Sequence, residues 1–132
     1  MNQIRIASFK TEYINLVQNE SAKNNFELGL ETGFSEDDLK SFRIKFKAVI
    51  SSKEGYDLTV EYSSFFETDE DINESFKKSN FVTINAPAIA YPFLRSFISI
   101  ITLNAGYEPI LIPTINFQAL AQKNHPSSVE SM

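Results

Sequence analysis

The chain has 132 residues, enough for one domain of ordinary size and too few for two. Its formal net charge of −5 argues against nucleic acid as the main partner, because phosphate binding requires a basic surface. It contains no cysteine, which excludes a disulfide framework, a thiolate zinc site and a cysteine nucleophile. No secretory signal is visible at the N-terminus, so we expect a cytoplasmic protein.

Four segments are predicted to form β-strands. Residues 2–17 form the first and least regular one, and the polar stretch 18–25 is too long for a tight hairpin and should cross over another element. Residues 26–34, 42–51 and 56–64 then alternate apolar and polar side chains. Because successive strand side chains point to opposite faces, this alternation predicts an antiparallel sheet covered on one side only.

Turn residues and charges indicate how these strands pair. Residues 35–38 and 52–55 are typical turn segments, and the second predicts a hairpin. Opposite charges stabilise neighbouring strands, which places the basic strand 42–51 between two acidic ones. The acidic side chains predicted to face it are Glu27, Glu31, Asp57 and Glu61, and its own basic side chains are Arg43, Lys45 and Lys47.

The next segment is predicted to contain a long helix. An acidic loop, 67–80, can hold a helical turn, and Asn85 with Pro87 is expected to start the helix, whose body covers 88–104. Gly106 should end it, and Pro92 should either kink it or mark its true beginning. The most apolar part, 88–101, is too short for a membrane span and contains Arg95.

This helix is apolar around most of its circumference, which predicts burial on two sides. The sheet can cover one side, and in so small a chain another subunit must cover the other. Small polar side chains suit a close contact between such helices. The predicted oligomer interface comprises Arg95, Ser96, Ser99 and Thr102.

The remaining segment is predicted to be extended and then helical. Pro109 and Pro113 favour an extended connector, and Asn116 can cap a last helix over 117–122. We therefore expect a single domain over 1–122 and a polar tail over 123–132, which contains the only histidine, His125.

No catalytic or metal-binding constellation is predicted. A lone histidine in a polar tail is a poor general base. The spacing Asp69-x-Asp71-x-Asn73 resembles the opening of a calcium loop, but the glycine and the final glutamate of such a loop are missing. We therefore expect no enzymatic activity, no cofactor and no metal.

Residues 85–120 carry a family resemblance. The matching pieces are Tyr91-Pro92-Phe93-Leu94-Arg95, then Gly106-Tyr107-x-Pro109 followed by an apolar run and Pro113, and then Ile115-Asn116-Phe117-x-Ala119-Leu120. In this order and spacing they resemble the SecB family of export chaperones. The resemblance implies an α+β fold, with a four-stranded antiparallel sheet covered on one face by a long helix and a short final helix.

The resemblance also implies a function. Such proteins are homotetramers, built as dimers of dimers, that hold unfolded polypeptides in apolar grooves without ATP. The crossover and the connector flank those grooves, and of two neighbouring phenylalanines at 65 and 66 the alternation can bury only one. The predicted client-binding residues are Leu16, Val17, Phe26, Phe65, Tyr107, Ile110 and Ile112.

The recipient of the clients is a separate question. In export SecB, acidic residues on the first strand and on the exposed sheet face help to dock the SecA motor. Glu61, with Thr59 beside it, has a comparable position, but the first strand lacks the acidic pattern and Glu12 is its nearest candidate. A chaperone dedicated to one partner, such as an antitoxin, fits as well. The residues also leave open a non-chaperone adaptor and a small-ligand binding domain.

Overall fold

The computed structural model describes residues 2–123 and contains four long strands: β1 (Ile4–Gln18), β2 (Asn25–Phe34), β3 (Ser41–Ser52) and β4 (Tyr56–Thr68). They form one antiparallel sheet in the order β1-β4-β3-β2. The predicted central position of the basic strand is therefore confirmed. Strands β2, β3 and β4 extend a little beyond their predicted bounds, because their ladder pairing continues towards the turns.

The crossover carries the chain from one edge of the sheet to the other. It passes over the β3–β4 turn, where the amide of Asn19 donates to the carbonyl of Gly55 at 2.8 Å. On the far side, Asn24 accepts a hydrogen bond from the amide of Lys53 at 2.8 Å. Gly55 has φ of +106°, a left-handed conformation that glycine adopts without steric cost, so the turn and the crossover hold each other in place.

The cross-strand charges pair only in part as predicted. Lys45 and Glu61 form an ion pair of 2.8 Å, and Arg43 lies 3.7 Å from Glu31. Glu27, however, lies opposite Val49, and Asp57 lies opposite Ser51. Glu27 and Asp57 therefore have no basic residue of β3 directly across from them. The last basic residue of β3 is at position 47, and the strand continues beyond it.

Three helical segments and one π-helical turn follow the sheet. They are α1 (Glu74–Lys77), the π-helical turn Phe81–Asn85, α2 (Ala86–Asn104) and α3 (Phe117–Lys123). Asn73 caps α1 by accepting a hydrogen bond from the amide of Phe76 at 2.8 Å, and so serves the helix instead of a metal loop. Asn116 likewise accepts from the amide of Ala119 at 3.0 Å, as predicted for the cap of α3. The predicted polar tail from residue 123, with His125, lies outside the described residues.

α2 begins at Ala86 with Pro87 in its first turn, as predicted, but without the predicted cap. The π-helical turn runs directly into α2, so Asn85 already has helical angles and its side chain makes no capping hydrogen bond. Pro92 lies inside α2, six residues after its first residue, and does not mark the beginning of the helix. Gly106, with φ of +97°, follows the end of α2 as expected.

One face of α2 packs on the sheet and builds the core. Ala90, Leu94 and Ile98 are fully buried against the apolar faces of the strands. On the sheet side, the fully buried layer is Leu28, Ile44, Phe46, Leu58 and Val60. The opposite face of the sheet carries the charged side chains, and we call it the outer face.

By length and composition alone, the helical region Glu74–Asn104, of 31 residues, is sufficient to cross a membrane, so the shortness of the apolar segment 88–101 does not by itself exclude a span. The packing of α2 argues against membrane insertion, because the face of the helix that the sheet covers belongs to the protein core.

Candidate functional site

A furrow with a volume of about 480 Å³ runs between the connector and one end of the sheet. One wall is the extended segment 108–113, and the other is formed by the start of β2 and the end of β3 with its turn. The apolar side chains that line it are Phe26, Ile50, Pro109, Ile110, Leu111, Ile112 and Pro113. An apolar, open furrow of this kind can bury side chains of an extended polypeptide.

Side chains of α2 hold the connector at the furrow. The hydroxyl of Tyr91 donates to the carbonyl of Pro113, and Nε of Arg95 donates to the carbonyl of Ile112 at 3.0 Å. The hydroxyl of Thr102 accepts from the amide of Ile110 at 3.0 Å. These bonds replace the ladder partners that an extended segment outside a sheet lacks, so the furrow wall is fixed before any client arrives.

Of two predicted interface residues on this side of α2, Thr102 is corrected, whereas the interface role of Arg95 stays a prediction. Thr102 is fully buried within the chain, and its hydroxyl also contacts the carbonyls of Ile98 and Ser99, so it cannot touch another subunit. Arg95 is half-buried and bonds to the connector, which makes it a positioning residue of the furrow wall. The helical pattern did not separate these side chains from the outer ones, because a polar residue on the inner face looks the same in sequence.

The furrow brings together only some of the predicted client-binding residues. Phe26, Ile110 and Ile112 line it, but Phe26 and Ile112 are only 7% and 2% exposed. These two form its floor and belong to the core, and their role as client contacts stays a prediction. Leu111, which the prediction missed, is 74% exposed on the wall. The alternation of an extended segment could have identified it, since 111 points away from 110 and 112.

The other predicted client-binding residues lie elsewhere. Tyr107 packs against Tyr56 with ring centroids 4.3 Å apart and the rings tilted by 35°. Leu16 is half-buried on the helix side of β1, whereas Val17, on the outer face, is 51% exposed. Phe65 is half-buried and lines a second furrow of about 220 Å³ at the opposite end of the sheet, as expected beside the buried Phe66. The predicted client-binding residues therefore lie on several separate apolar surfaces, although they were predicted as one set.

The second face of α2 is exposed and has a regular spacing. Its side chains lie four, three, four and three residues apart, which is the a/d spacing of helices that pair with one another. Large apolar members are 39–57% exposed in the single chain. The set, which we call the seam, is Ile89, Phe93, Ser96, Ile100 and Leu103.

Aromatic side chains connect the seam to the edge strand. Phe93 lies 4.7 Å from Phe9 of β1, and Phe97 stacks on Tyr62 at 4.8 Å, measured between ring centroids. Of the predicted interface serines, Ser96 is an exposed seam member and Ser99 is half-buried beside it. The prediction that α2 is apolar on two sides is confirmed, and residues 2–123 leave its second side largely exposed.

The predicted docking residues Thr59 and Glu61 lie on the outer face of β4, and both are half-buried. The hydrogen bond from Lys45 lowers the pKa of Glu61, and the nearby charges of Lys45 and Lys47 act in the same direction. Glu61 is thus ionised at neutral pH, and its charge is already compensated by the same chain.

Burial raises the pKa of Tyr91 to about 12. The folded-state pKa lies above the ordinary value of 10. The contribution of Tyr91 to the free energy of unfolding is therefore expected to be fully present below about pH 10 and to be lost as pH rises towards 12. We expect the free energy of unfolding to be about 1 kcal/mol lower near pH 11 than near pH 9 from this group alone.

Urea denaturation of the wild type and of Tyr91→Phe over that pH range measures the effect. The variant keeps the buried ring but has no proton to lose, so its stability should decrease less steeply. Tyr56 and Tyr62, whose pKa values burial also raises, remain in both proteins and cancel in the difference. Parallel pH profiles for the two proteins would contradict the role of Tyr91.

Comparison with protein families decides the relationship. A family model described as preprotein translocase subunit SecB matches residues 7–127, nearly the whole chain. The chain belongs to the SecB family.

Individual SecB relatives are distant. A protein-export protein SecB of Anaplasma phagocytophilum is 29% identical over 84 residues, which are 63% of this chain and 53% of the relative. The chain thus spans about half the length of that SecB. An uncharacterized protein of Methanocaldococcus jannaschii is 26% identical over 124 residues and covers 86% of this chain and 79% of its own length.

Solved structures agree with the fold of the SecB family. A SecB-like chaperone of Mycobacterium tuberculosis, solved with a peptide from an antitoxin, superposes with a TM-score of 0.65 at 10% identity and covers 85% of this chain and 89% of its own. A Streptococcus agalactiae protein of unknown function superposes with a TM-score of 0.59 at 13% identity, over 86% of this chain and 99% of its own. The predicted α+β architecture, a four-stranded antiparallel sheet with a long and a short helix, is confirmed.

Proposed function

We propose that this SecB-family protein is an ATP-independent holdase of the cytoplasm that binds unfolded polypeptides and keeps them from aggregating, with export as the purpose. The observation that carries the proposal is the apolar furrow beside the connector, with Leu111 exposed on its wall and the wall held by Tyr91, Arg95 and Thr102. The protein needs no cofactor and no enzymatic step for this task.

Burial of apolar surface supplies the affinity of such a furrow. Each square ångström of apolar client surface removed from water contributes roughly 25 cal/mol. The interaction is non-directional, so clients of different sequence can bind. A wall fixed by hydrogen bonds loses little conformational entropy on binding, which leaves more of this energy for the complex.

Assembly as a homotetramer, a dimer of dimers, is part of the proposal. The seam supports it because its spacing suits pairing with another helix and its large side chains are exposed in the single chain. Several furrows on one particle raise the effective concentration of sites along one client. Weak contacts at Leu111, Val17 and Phe65 on different surfaces can then act together.

A second candidate is a chaperone dedicated to one partner. The ion pair of Lys45 with Glu61 favours it, because a carboxylate already held within the chain attracts a basic docking segment of SecA less. The M. tuberculosis relative was solved with an antitoxin peptide, and an antitoxin is accordingly one class of partner to test here.

The aggregation of unrelated client proteins tests the proposal. Two chemically unfolded proteins of different sequence are diluted into buffer with and without a stoichiometric amount of this protein, and light scattering is followed without ATP. Suppression for both supports the holdase. Protection of one partner only would support the dedicated chaperone, and thermal stabilisation by a small molecule without any suppression would support a ligand-binding domain.

A further inference from the structure

The outer face of the sheet carries a local positive charge. The chain has a net charge of −5, yet the residues paired in the middle of this face include four basic side chains and two carboxylates, a local net charge of +2, or +1 with the unpaired neighbour Glu12 of β1. The basic side chains, which we call the basic patch, are Lys10, Arg43, Lys45 and Lys47, and the two carboxylates are Glu31 and Glu61.

Two members of the basic patch lie free for a partner. Lys10 and Lys47 are exposed, and neither belongs to an ion pair within residues 2–123. Lys45 is engaged by Glu61 at 2.8 Å, with both side chains about a quarter exposed. Arg43 has a looser contact with Glu31, 3.7 Å, in which the carboxylate is largely exposed.

A buried hydroxyl lies at the centre of the patch. Ser63 pairs with Lys10 on one side and Lys45 on the other, so the three side chains form one row across β1, β4 and β3. Ser63 is fully buried, and its Oγ has no hydrogen-bond partner among residues 2–123. A buried hydroxyl without a partner costs free energy, and an anionic acceptor arriving between two lysines would satisfy it.

Exposed aromatic surface borders the patch on two sides. Tyr13 of β1 is 46% exposed and pairs with Glu61 of β4. Phe65 of β4 is half-buried and pairs with Arg43 of β3. The guanidinium of Arg43 extends across Gly33, where an added Cβ would meet its Nε at 3.3 Å. A side chain at position 33 would therefore require the Arg43 guanidinium to shift by a few tenths of an ångström, so the bare backbone of Gly33 leaves room for it beside the furrow that Phe65 lines.

We propose that the outer face is a docking surface for an acidic peptide segment of a partner protein. Carboxylates of the segment bind Lys10 and Lys47, one of them reaches the Ser63 hydroxyl as Lys45 turns towards it, and apolar side chains next to them pack on Tyr13 or Phe65. The patch spans three strands, about 10 Å across, which suits a single extended peptide.

A short peptide fits better than the other anionic partners. Glu27, Asp57 and Glu67 lie on the same face around the patch and repel a polymer of high negative charge density. Nucleic acid and anionic membranes need a broad basic surface, which a chain of net charge −5 does not offer. The inference goes beyond the proposed holdase function, because the furrow with Leu111 is built from other residues and Phe65 is the only side chain that both proposals use.

Fluorescence anisotropy with a labelled peptide of alternating Glu and Gly tests this docking surface. We expect the wild type to bind it in low salt, with an affinity that decreases as salt rises. Lys10→Glu with Lys47→Glu should weaken binding at least about tenfold. Lys23→Glu with Lys78→Glu, an equal change of net charge at exposed lysines elsewhere, should weaken it by no more than about twofold.

Ser63→Ala separates docking from stability. Removal of an unpartnered buried hydroxyl should leave the fold equally or more stable, yet weaken peptide binding a few fold. Equal weakening by both lysine pairs, no binding by the wild type, or tighter binding of oligothymidylate or phosphatidylglycerol vesicles would overturn the proposal. Suppression of client aggregation by Lys10→Glu with Lys47→Glu should stay at the wild-type level, so failure here is distinguishable from failure of the holdase proposal.

Discussion

Replacing Ile100 with aspartate is expected to break the assembly. Ile100 is 54% exposed in the single chain, so the subunit itself tolerates the change, whereas a pairing of seams would bury the carboxylate without a partner. A buried unpaired charge costs several kcal/mol, which corresponds to a loss of at least about 100-fold in the association constant. Size-exclusion chromatography with light scattering should therefore show a species of lower mass.

Ser75→Asp is the matched control for Ile100→Asp. Ser75 is exposed on α1, where a negative charge near the start of a helix is tolerated, so its assembly should keep the wild-type mass. Circular dichroism of both variants should match the wild type. An unchanged mass for Ile100→Asp would show that the seam is not a subunit contact. The edge strand β1 would then be the candidate for that contact.

Replacing Leu111 with aspartate is expected to abolish most client binding. Leu111 is the most exposed large apolar side chain among those described, and a client that covers it gains about 1.5–3 kcal/mol from its burial. Aspartate removes this gain and adds a charge that a client would have to desolvate. We expect affinity for an unfolded client peptide to decrease about 10- to 100-fold, measured by anisotropy of a labelled peptide.

Leu39→Asp is the control for the furrow. Leu39 is 47% exposed at the opposite end of the sheet, so the same change of residue type falls outside the furrow of the connector. Its variant should bind the peptide within about twofold of the wild type, and both variants should show the wild-type free energy of unfolding. If Leu39→Asp weakened binding as much as Leu111→Asp, the client track would lie along the whole sheet and not in the furrow.

Local patterns predicted much of the fold. Period-two alternation identified three strands, and the charges of β3 identified it as a central strand. The cap at Asn116 and the end of α2 before Gly106 depend on one or two neighbouring residues, which is why they can be read from short windows. The start of α2 was predicted less well, since a π-helical turn has no strong sequence signal.

The site depended on the tertiary structure to a greater extent. Tyr91, Arg95 and Thr102 looked like members of an apolar or polar helix face, and only the path of the connector shows that all three bind its backbone. The same path places Leu111 outside and Ile112 inside. Contacts between segments that are distant in sequence cannot be inferred from the residues of either segment alone.

By itself the sequence determined the sheet, the inner position of β3, and a long helix with apolar side chains on two sides, because each follows from the periodicity or the charges of the side chains in a segment. The tertiary structure alone decided which helix residues hold the connector, which apolar residues remain exposed, and that Ser63 lies between Lys10 and Lys45. These depend on the register of strands and on the docking of a segment without regular structure, where a shift of one residue exchanges the inner and the outer side chains.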